Sequence, residues 1–303
     1  MKTLWKKFRS ALRRLDAYLA DATDPLWSEL LDAGSYFSIL IEELIAVRAH
    51  LKLPSGPYTR IPKRVIFIRH PQTNEHDDRI YRADDAEITE KGWEEAYMVA
   101  HRIREMSETY LDGITHIVTS TFSRSRKLAE LIATELATTA RSPNAVLPTI
   151  IPSDLFVEIR KPSVLKNIHR DDPEAVRIGK RIRRLFDLEY RHSDEENRWR
   201  IRFRVFNLLR FLEALDAPVV VVVTHGKLLR AIYHHLWEGN MRGFYRKADP
   251  LLKHGHTGIT IFDLEPGFRE ENKAEMQWIV QTWNELAHTD LPRDLIARLA
   301  HMP

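Results

Sequence analysis

The 303 residues carry 46 Lys or Arg against 43 Asp or Glu, a net charge of +3, and 44% of them are hydrophobic. That composition suits a globular chain with one large domain or two and a sizeable core. The absence of cysteine excludes disulfides, thiolate metal sites and a cysteine nucleophile, and fits a reducing compartment.

Residues 1–50 read as helix. Leu4, Phe8, Leu12, Leu15 and Leu19 recur at spacings of three and four, with Lys6, Lys7, Arg13 and Arg14 among them. A second apolar run, "SYFSILIEELIAVRAHL", ends before "PSGPYTRIPK", a turn or linker that sets a boundary near residue 60. The expected organisation is an N-terminal helical extension over 1–60 and a catalytic domain over 61–303. The basic helix has two readings: contact with an anionic membrane surface, or packing on its own domain or on a second subunit of a homo-oligomer. No apolar stretch has transmembrane length, and charges interrupt the first residues as a secretory signal. The expected location is cytoplasmic, with a membrane-peripheral variant.

From residue 64 strand and helix patterns alternate. "RVIFI" reads as a strand, "TEKGWEEAYMVAHRIREM" as a helix with Thr89 as N-cap, "GITHIVTS" as a strand and "SRSRKLAELIATELA" as a helix. "AVLPTIIPSDLF" reads as a strand entering a loop, and the unbroken "APVVVVVTHG" as a strand buried on both faces. "TGITIFDLE" and "EMQWIVQTW" suggest an antiparallel pair joined through "PGFREENKA". This order predicts an α/β fold: a three-layer α/β/α sandwich with a mostly parallel central sheet. Residues 159–218 form a helical cap insertion. One of its helices opens at Asp172-Pro173. Another opens at Ser193 and Glu196, a capping box, with Trp199, Phe203, Phe206 and Leu209 on its apolar face.

Three strands end in polar residues pointing in one sense: Arg69 and His70, then Arg124, then Thr224, His225 and Gly226. In open parallel sheets, ligands bind beyond the carboxyl ends of the strands. A lone strand-end histidine is more often structural, but two histidines and two arginines from three strands point to an anion site. Acidic pairs at Asp77-Asp78, Asp84-Asp85 and Asp171-Asp172 read as solvated loops. "HGH" at 254–256 and His234-His235 lack a matching carboxylate set for a metal. There is no G-x-G-x-x-G, P-loop or G-x-S-x-G motif.

Four blocks in order resemble the histidine phosphatase superfamily, also called phosphoglycerate-mutase-like, over about residues 62–290. They are "RHP" at 69–71, with proline where the family usually has glycine, "ITEKGWEEA" at 88–96, "TSTFSRSRKLA" at 119–129 and "VVTHGKLLRAI" at 222–232. "WNELAHT" resembles the family's closing segment. The resemblance implies that His70 is the nucleophile and forms a phosphohistidine. A hydrogen bond from its other ring nitrogen to a backbone carbonyl would aim the attacking lone pair. Arg69 and Arg124 would bind the non-bridging oxygens, and a protonated His225 would add a third donor. It also implies a general acid from the loop before the last parallel strand. Glu158 is the candidate and Asp154 its rival. Thr73 and His76 are further candidates for phosphate binding. No metal and no cofactor are expected.

The expected function is a phosphomonoester hydrolase acting on a small phosphorylated metabolite. The alternatives are a phosphoglycerate-type mutase and, from another class, a non-catalytic phosphate-binding or scaffold protein. Arg177, Lys180, Arg181, Arg183, Arg184, Arg198, Arg200, Arg202 and Arg204 crowd the cap, so a polyanionic substrate is favoured. Nucleic acid is not an expected partner, since no aromatic platform is evident.

Overall fold

The computed structural model describes residues 61–77, 79–80, 86–110, 113–139, 148–159, 163–183, 198–237, 253–268 and 274–290. The chain divides into two compact units, Met1–Ser55 and Gly56–Pro303, and all the described residues lie in the second. The expected N-terminal helices, Asp84-Asp85 and the Ser193/Glu196 capping box lie outside them.

Six strands form one sheet: β1 (Lys63–Arg69), β2 (His116–Thr119), β3 (Thr149–Pro152), β4 (Val219–Thr224), β5 (Ile259–Phe268) and β6 (Ala274–Glu285). Their spatial order is β3-β2-β4-β1-β5-β6. β1 to β4 run parallel, and β5 and β6 add an antiparallel edge. β4 is all valine before Thr224 and buried throughout, as its unbroken apolar pattern requires between two covered faces.

Five helices cover the sheet and its loops. The first, α1 (Glu90–Ser107), starts where the Thr89 side chain accepts from Gly92 N at 3.0 Å, the expected N-cap. With α2 (Ser123–Thr139) it packs on Ile66, Ile68, Ile117, Val221 and Val223. Side chains alternate along a strand, so Val65, Phe67, Val220 and Val222 face the other layer. There α4 (Arg198–Ala214) packs on α5 (Gly226–Trp237). At the head of β1, Lys63 Nζ donates to Leu212 O at 2.8 Å and Leu215 O at 2.5 Å. It thereby satisfies carbonyls that the end of α4 leaves open.

Two details differ from the sequence pattern. The buried stripe of α4 is Ile201, Val205, Leu208 and Leu212, with Leu209 at its margin, whereas Phe206 is 47% exposed. The helix is apolar on more than one side, and the stripe spaced four, three, four is the one that meets the sheet. The side chains of Trp199 and Phe203 lie outside the described residues. The β5–β6 connection is also shorter than "PGFREENKA", because Pro266 pairs with Met276 and Gly267 with Glu275. Past Leu264, β5 has lost its β1 neighbour, so a proline without N–H fits the open side of the ladder.

In the insertion, α3 (Pro173–Arg183) begins with proline as expected, and Asp172 Oδ1 caps it by accepting from Glu174 N at 2.8 Å. Its Ala175 and Ile178 form a small core with Leu165. The segment before it is tied to the loop after β1. His169 bridges Ile80, Arg170 N donates to Arg79 O at 2.8 Å, and Arg170 pairs with Glu75 at 3.3 Å. Among the described residues, no helix is long and apolar enough to cross a membrane.

Candidate active site

The sheet order places β4 between β1 and β2, so three carboxyl ends lie side by side. Arg69 is level with Thr224, and Thr119 with Val223. One residue further on, His70 N donates to Thr224 O at 2.9 Å and Ser120 N to Val223 O at 3.0 Å. The chain leaves all three strands in register, which gathers His70, Ser120 and His225.

His70 is 3% exposed, and its Nδ1 lies 2.8 Å from Pro71 O. A carbonyl only accepts, so Nδ1 carries the proton and Nε2 keeps its lone pair. This is the backbone contact expected for an attacking imidazole. Pro71 has no N–H to offer, but its carbonyl accepts from the His70 ring.

The His225 ring lies 5.0 Å from that of His70, centroid to centroid. Its Nδ1 is 3.4 Å from Arg124 Nη2, and its Nε2 is 2.8 Å from Ser120 Oγ. Facing a guanidinium donor, Nδ1 is the acceptor, so Nε2–H donates to Ser120. Burial, then Arg124, Arg204 and Arg69, push the His225 pKa well below the ordinary value. His225 is therefore neutral at pH 7 in these surroundings, and the expected imidazolium would need the added charge of a phosphate nearby.

Arg124, 5% exposed, enters from the first turn of α2 and stacks on the Phe122 ring at 4.8 Å. Arg69 Nη1 donates to His254 O at 2.5 Å. Burial, and secondarily Arg124 and Arg170, push Arg69 down to about 10, while Glu158 and Glu95 oppose them. It stays a cation at neutral pH. A Cβ at Gly226 would sit 3.2 Å from the Arg69 side chain, so glycine at the head of α5 leaves room for the guanidinium.

Glu158 is half-buried, accepts from Ile159 N at 2.8 Å and acts electrostatically on Arg69. Asp154 is exposed and accepts from Thr121 Oγ1 at 2.7 Å. Glu158 thus lies within electrostatic reach of Arg69, whereas Asp154 is on the surface. Thr73 is fully buried, with its backbone bridged to Ile88. His76 lies in a helical turn, Asn74–Asp77, and its side chain is outside the described residues. Among the described residues there is no group of three metal-ligating side chains.

Several contacts around the site were not evident in the sequence. Arg204 Nη1 donates to Leu155 O at 3.1 Å and Val157 O at 2.6 Å, and Thr224 Oγ1 donates to Phe156 O at 2.7 Å. These two hold the loop that carries Glu158. Arg204 was one of nine cap cations in the sequence, whereas Arg177 pairs with Glu174 on the surface. The His256 ring lies 6.2 Å from His70, and its Nδ1 is 4.0 Å from Glu95 Oε2. The signal for this pair was the "HGH" segment, whose carboxylate partner comes from α1.

A model of the histidine phosphatase superfamily, branch 1, matches residues 65–276. A probable phosphoglycerate mutase, GpmB, of Erwinia tasmaniensis is 38% identical over 71 residues, 23% of this chain and 30% of that protein. The same protein of Escherichia coli matches equally over the same length, so the match spans about a third of these relatives. Among solved structures, YhfR of Bacillus stearothermophilus superposes with a TM-score of 0.57 at 18% identity, covering 75% of this chain and 98% of that one. A mycobacterial glucosyl-3-phosphoglycerate phosphatase bound to VO3 gives 0.54 at 18% identity, covering 73% and 99%. At such identity these structures share the fold. With the family model spanning most of the described residues, the chain belongs to the histidine phosphatase superfamily, branch 1.

Proposed function

We propose that the chain hydrolyses phosphate monoesters through a phosphohistidine on His70. The observation that carries this reading is the His70 Nδ1 contact with Pro71 O, which leaves Nε2 as a nucleophile near the half-buried Arg69 and the buried Arg124. Nε2 attacks phosphorus, and the N–P bond forms as the bond to the leaving oxygen breaks. Arg69 and Arg124 hold the non-bridging oxygens, and Glu158 gives its proton to the leaving oxygen. Water then attacks phosphorus and passes its proton to the Glu158 carboxylate. The N–P bond breaks, and His70 recovers its electron pair. Two guanidinium groups neutralise the phosphoryl charge in this reading, so no cofactor is invoked.

A mutase is the second reading, favoured by the 71-residue match to probable phosphoglycerate mutases. It shares the first step and returns the phosphoryl group to an acceptor in place of water. The substrate is a small phosphorylated metabolite, and a polyanionic one suits the added charges of Arg170 and Arg204, which act on Arg69 and His225.

A panel of radiolabelled phosphate esters tests both readings. Wild type is expected to acquire acid-labile label that His70→Ala lacks. Label chased into inorganic phosphate supports the hydrolase, and label chased into a phosphoglycerate supports the mutase. No labelling by any ester would overturn both in favour of a binding protein. Preference for polyanions should weaken with salt, and a salt-insensitive preference for singly charged esters would remove that part.

A further inference from the structure

Glu95 and His70 meet at the two ends of one peptide group. Glu95 Oε2 accepts the Gln72 N–H at 2.8 Å. The carbonyl of the same peptide unit, Pro71 O, accepts the His70 Nδ1–H at 2.8 Å. Both side chains are buried, Glu95 at 9% exposed and His70 at 3%, where solvent screens charge weakly. An anion at the N–H end of an amide raises the electron density on its carbonyl oxygen, so the two hydrogen bonds strengthen one another.

Helix α1 and its N-cap also hold the next peptide unit, the one whose carbonyl is Gln72 O. Thr89 N donates to Gln72 O at 3.2 Å, and Gly92 allows the approach because a Cβ there would lie 2.2 Å from Gln72 O. Pro71 fixes its own φ, which removes one rotation that would swing the peptide away. Charged or titratable groups around His70 include Arg69, Arg124, His225, His256 and Glu158, with Arg170 acting on Arg69 and Arg204 on His225.

We propose that Glu95 is a positioning residue for the nucleophile, acting through the Pro71–Gln72 peptide. Its carboxylate makes Pro71 O a stronger acceptor, which holds His70 in the tautomer with a bare Nε2 and raises the basicity of that nitrogen. No proton passes through the peptide; the coupling is electrostatic. The inference rests on His70 being the nucleophile proposed above.

Glu95→Gln keeps shape and acceptor but removes the charge. Glu95→Asp keeps the charge near Arg69 and His256 but withdraws it from Gln72 N–H. Single-turnover phosphorylation of His70, inorganic phosphate affinity and the ring 15N shifts of His70 are the readouts. Both variants should slow phosphorylation roughly 10-fold, as outer partners of a reacting histidine do. Inorganic phosphate affinity should change less than about twofold, since ground-state phosphate grip is uniform binding, and the His70 ring shifts should move. Three results would each overturn the relay: wild-type rates and shifts in Glu95→Gln, full recovery in Glu95→Asp, or phosphate affinity falling in step with rate, which would route the effect through Arg69. If wild type forms no phosphohistidine, the functional reading fails on its own, and the ring shifts still decide whether Glu95 acts on His70.

Discussion

The loop after β1 and the loop after β3 carry His70 and Glu158, the two groups proposed to react, and are held by opposite means. The first is gripped by the helix that follows it, through backbone groups and Glu95, which is only 23 residues from Gln72. The second hangs from Arg204 and Thr224, side chains 47 and 68 residues from the carbonyls they hold. His70, the proposed nucleophile, is thus set by short-range backbone geometry, which tolerates little change. Glu158, the proposed acid, is set by two long-range side chains, which can be altered one at a time.

The sharpest break in the first loop is His70→Ala, expected to lower turnover by on the order of 10^4-fold with the fold intact, as circular dichroism and phosphate release together would show. Next is Gly92→Ala. The new Cβ would meet Gln72 O at 2.2 Å, so the nucleophile loop must move. A misplacement of about 1 Å costs roughly 10^2-fold in turnover. In the second loop, Arg204→Met should cost roughly 10-fold on alkyl phosphates, where the leaving oxygen needs a proton. It should spare p-nitrophenyl phosphate, and equal losses on both would break the link between Arg204 and the acid.

Acid stability probes the walls shared by both loops. His225 and His254 are buried and neutral. Burial pushes His225 well down and His254 to about 3. In the unfolded chain both would take up a proton near the usual histidine value, so stability is full above about pH 6.5 and falls as pH drops below it. Each contributes a slope of roughly 1.4 kcal/mol per pH unit, measurable by urea unfolding. His225→Asn should flatten that slope. The smallest effect is Thr224→Val, which removes one hydrogen bond to Phe156 O. About 1 kcal/mol of stability should be lost, with a modest fall in turnover confined to poor leaving groups.

The difference between the loops also explains what the sequence made legible. Arg69, His70, Arg124 and His225 each follow a strand end or open a helix, so apolar patterning located them before any contact was known. The N-cap at Thr89 and the buried valine strand were readable for the same reason, since both are local. Arg204 was not readable as a brace, because nothing in a run of alternating arginines marks the one that reaches Val157 O. The Glu95–His256 pair was hidden because its halves are 161 residues apart and meet only when α1 packs beside the β1 end. The stripe of α4 misled because Phe206 is as apolar as its neighbours, and only the sheet decides which side is inside.

The middle position of β4 has a consequence for how activity arises during folding. Among the described residues, β1 pairs with β4 and β5 only, and β2 with β3 and β4 only. Without β4 the sheet is two separate pieces, one bearing His70 and the other Arg124. The strand that joins them lies about 150 residues after β1 in the chain, so the closing contacts are of high sequence separation and form slowly. A nascent or truncated chain ending at residue 218 carries His70 and Arg124 but lacks His225 and the strands that pair with β1, so nothing brings the two together. Catalytic competence should therefore appear in one late step, simultaneous with completion of the core.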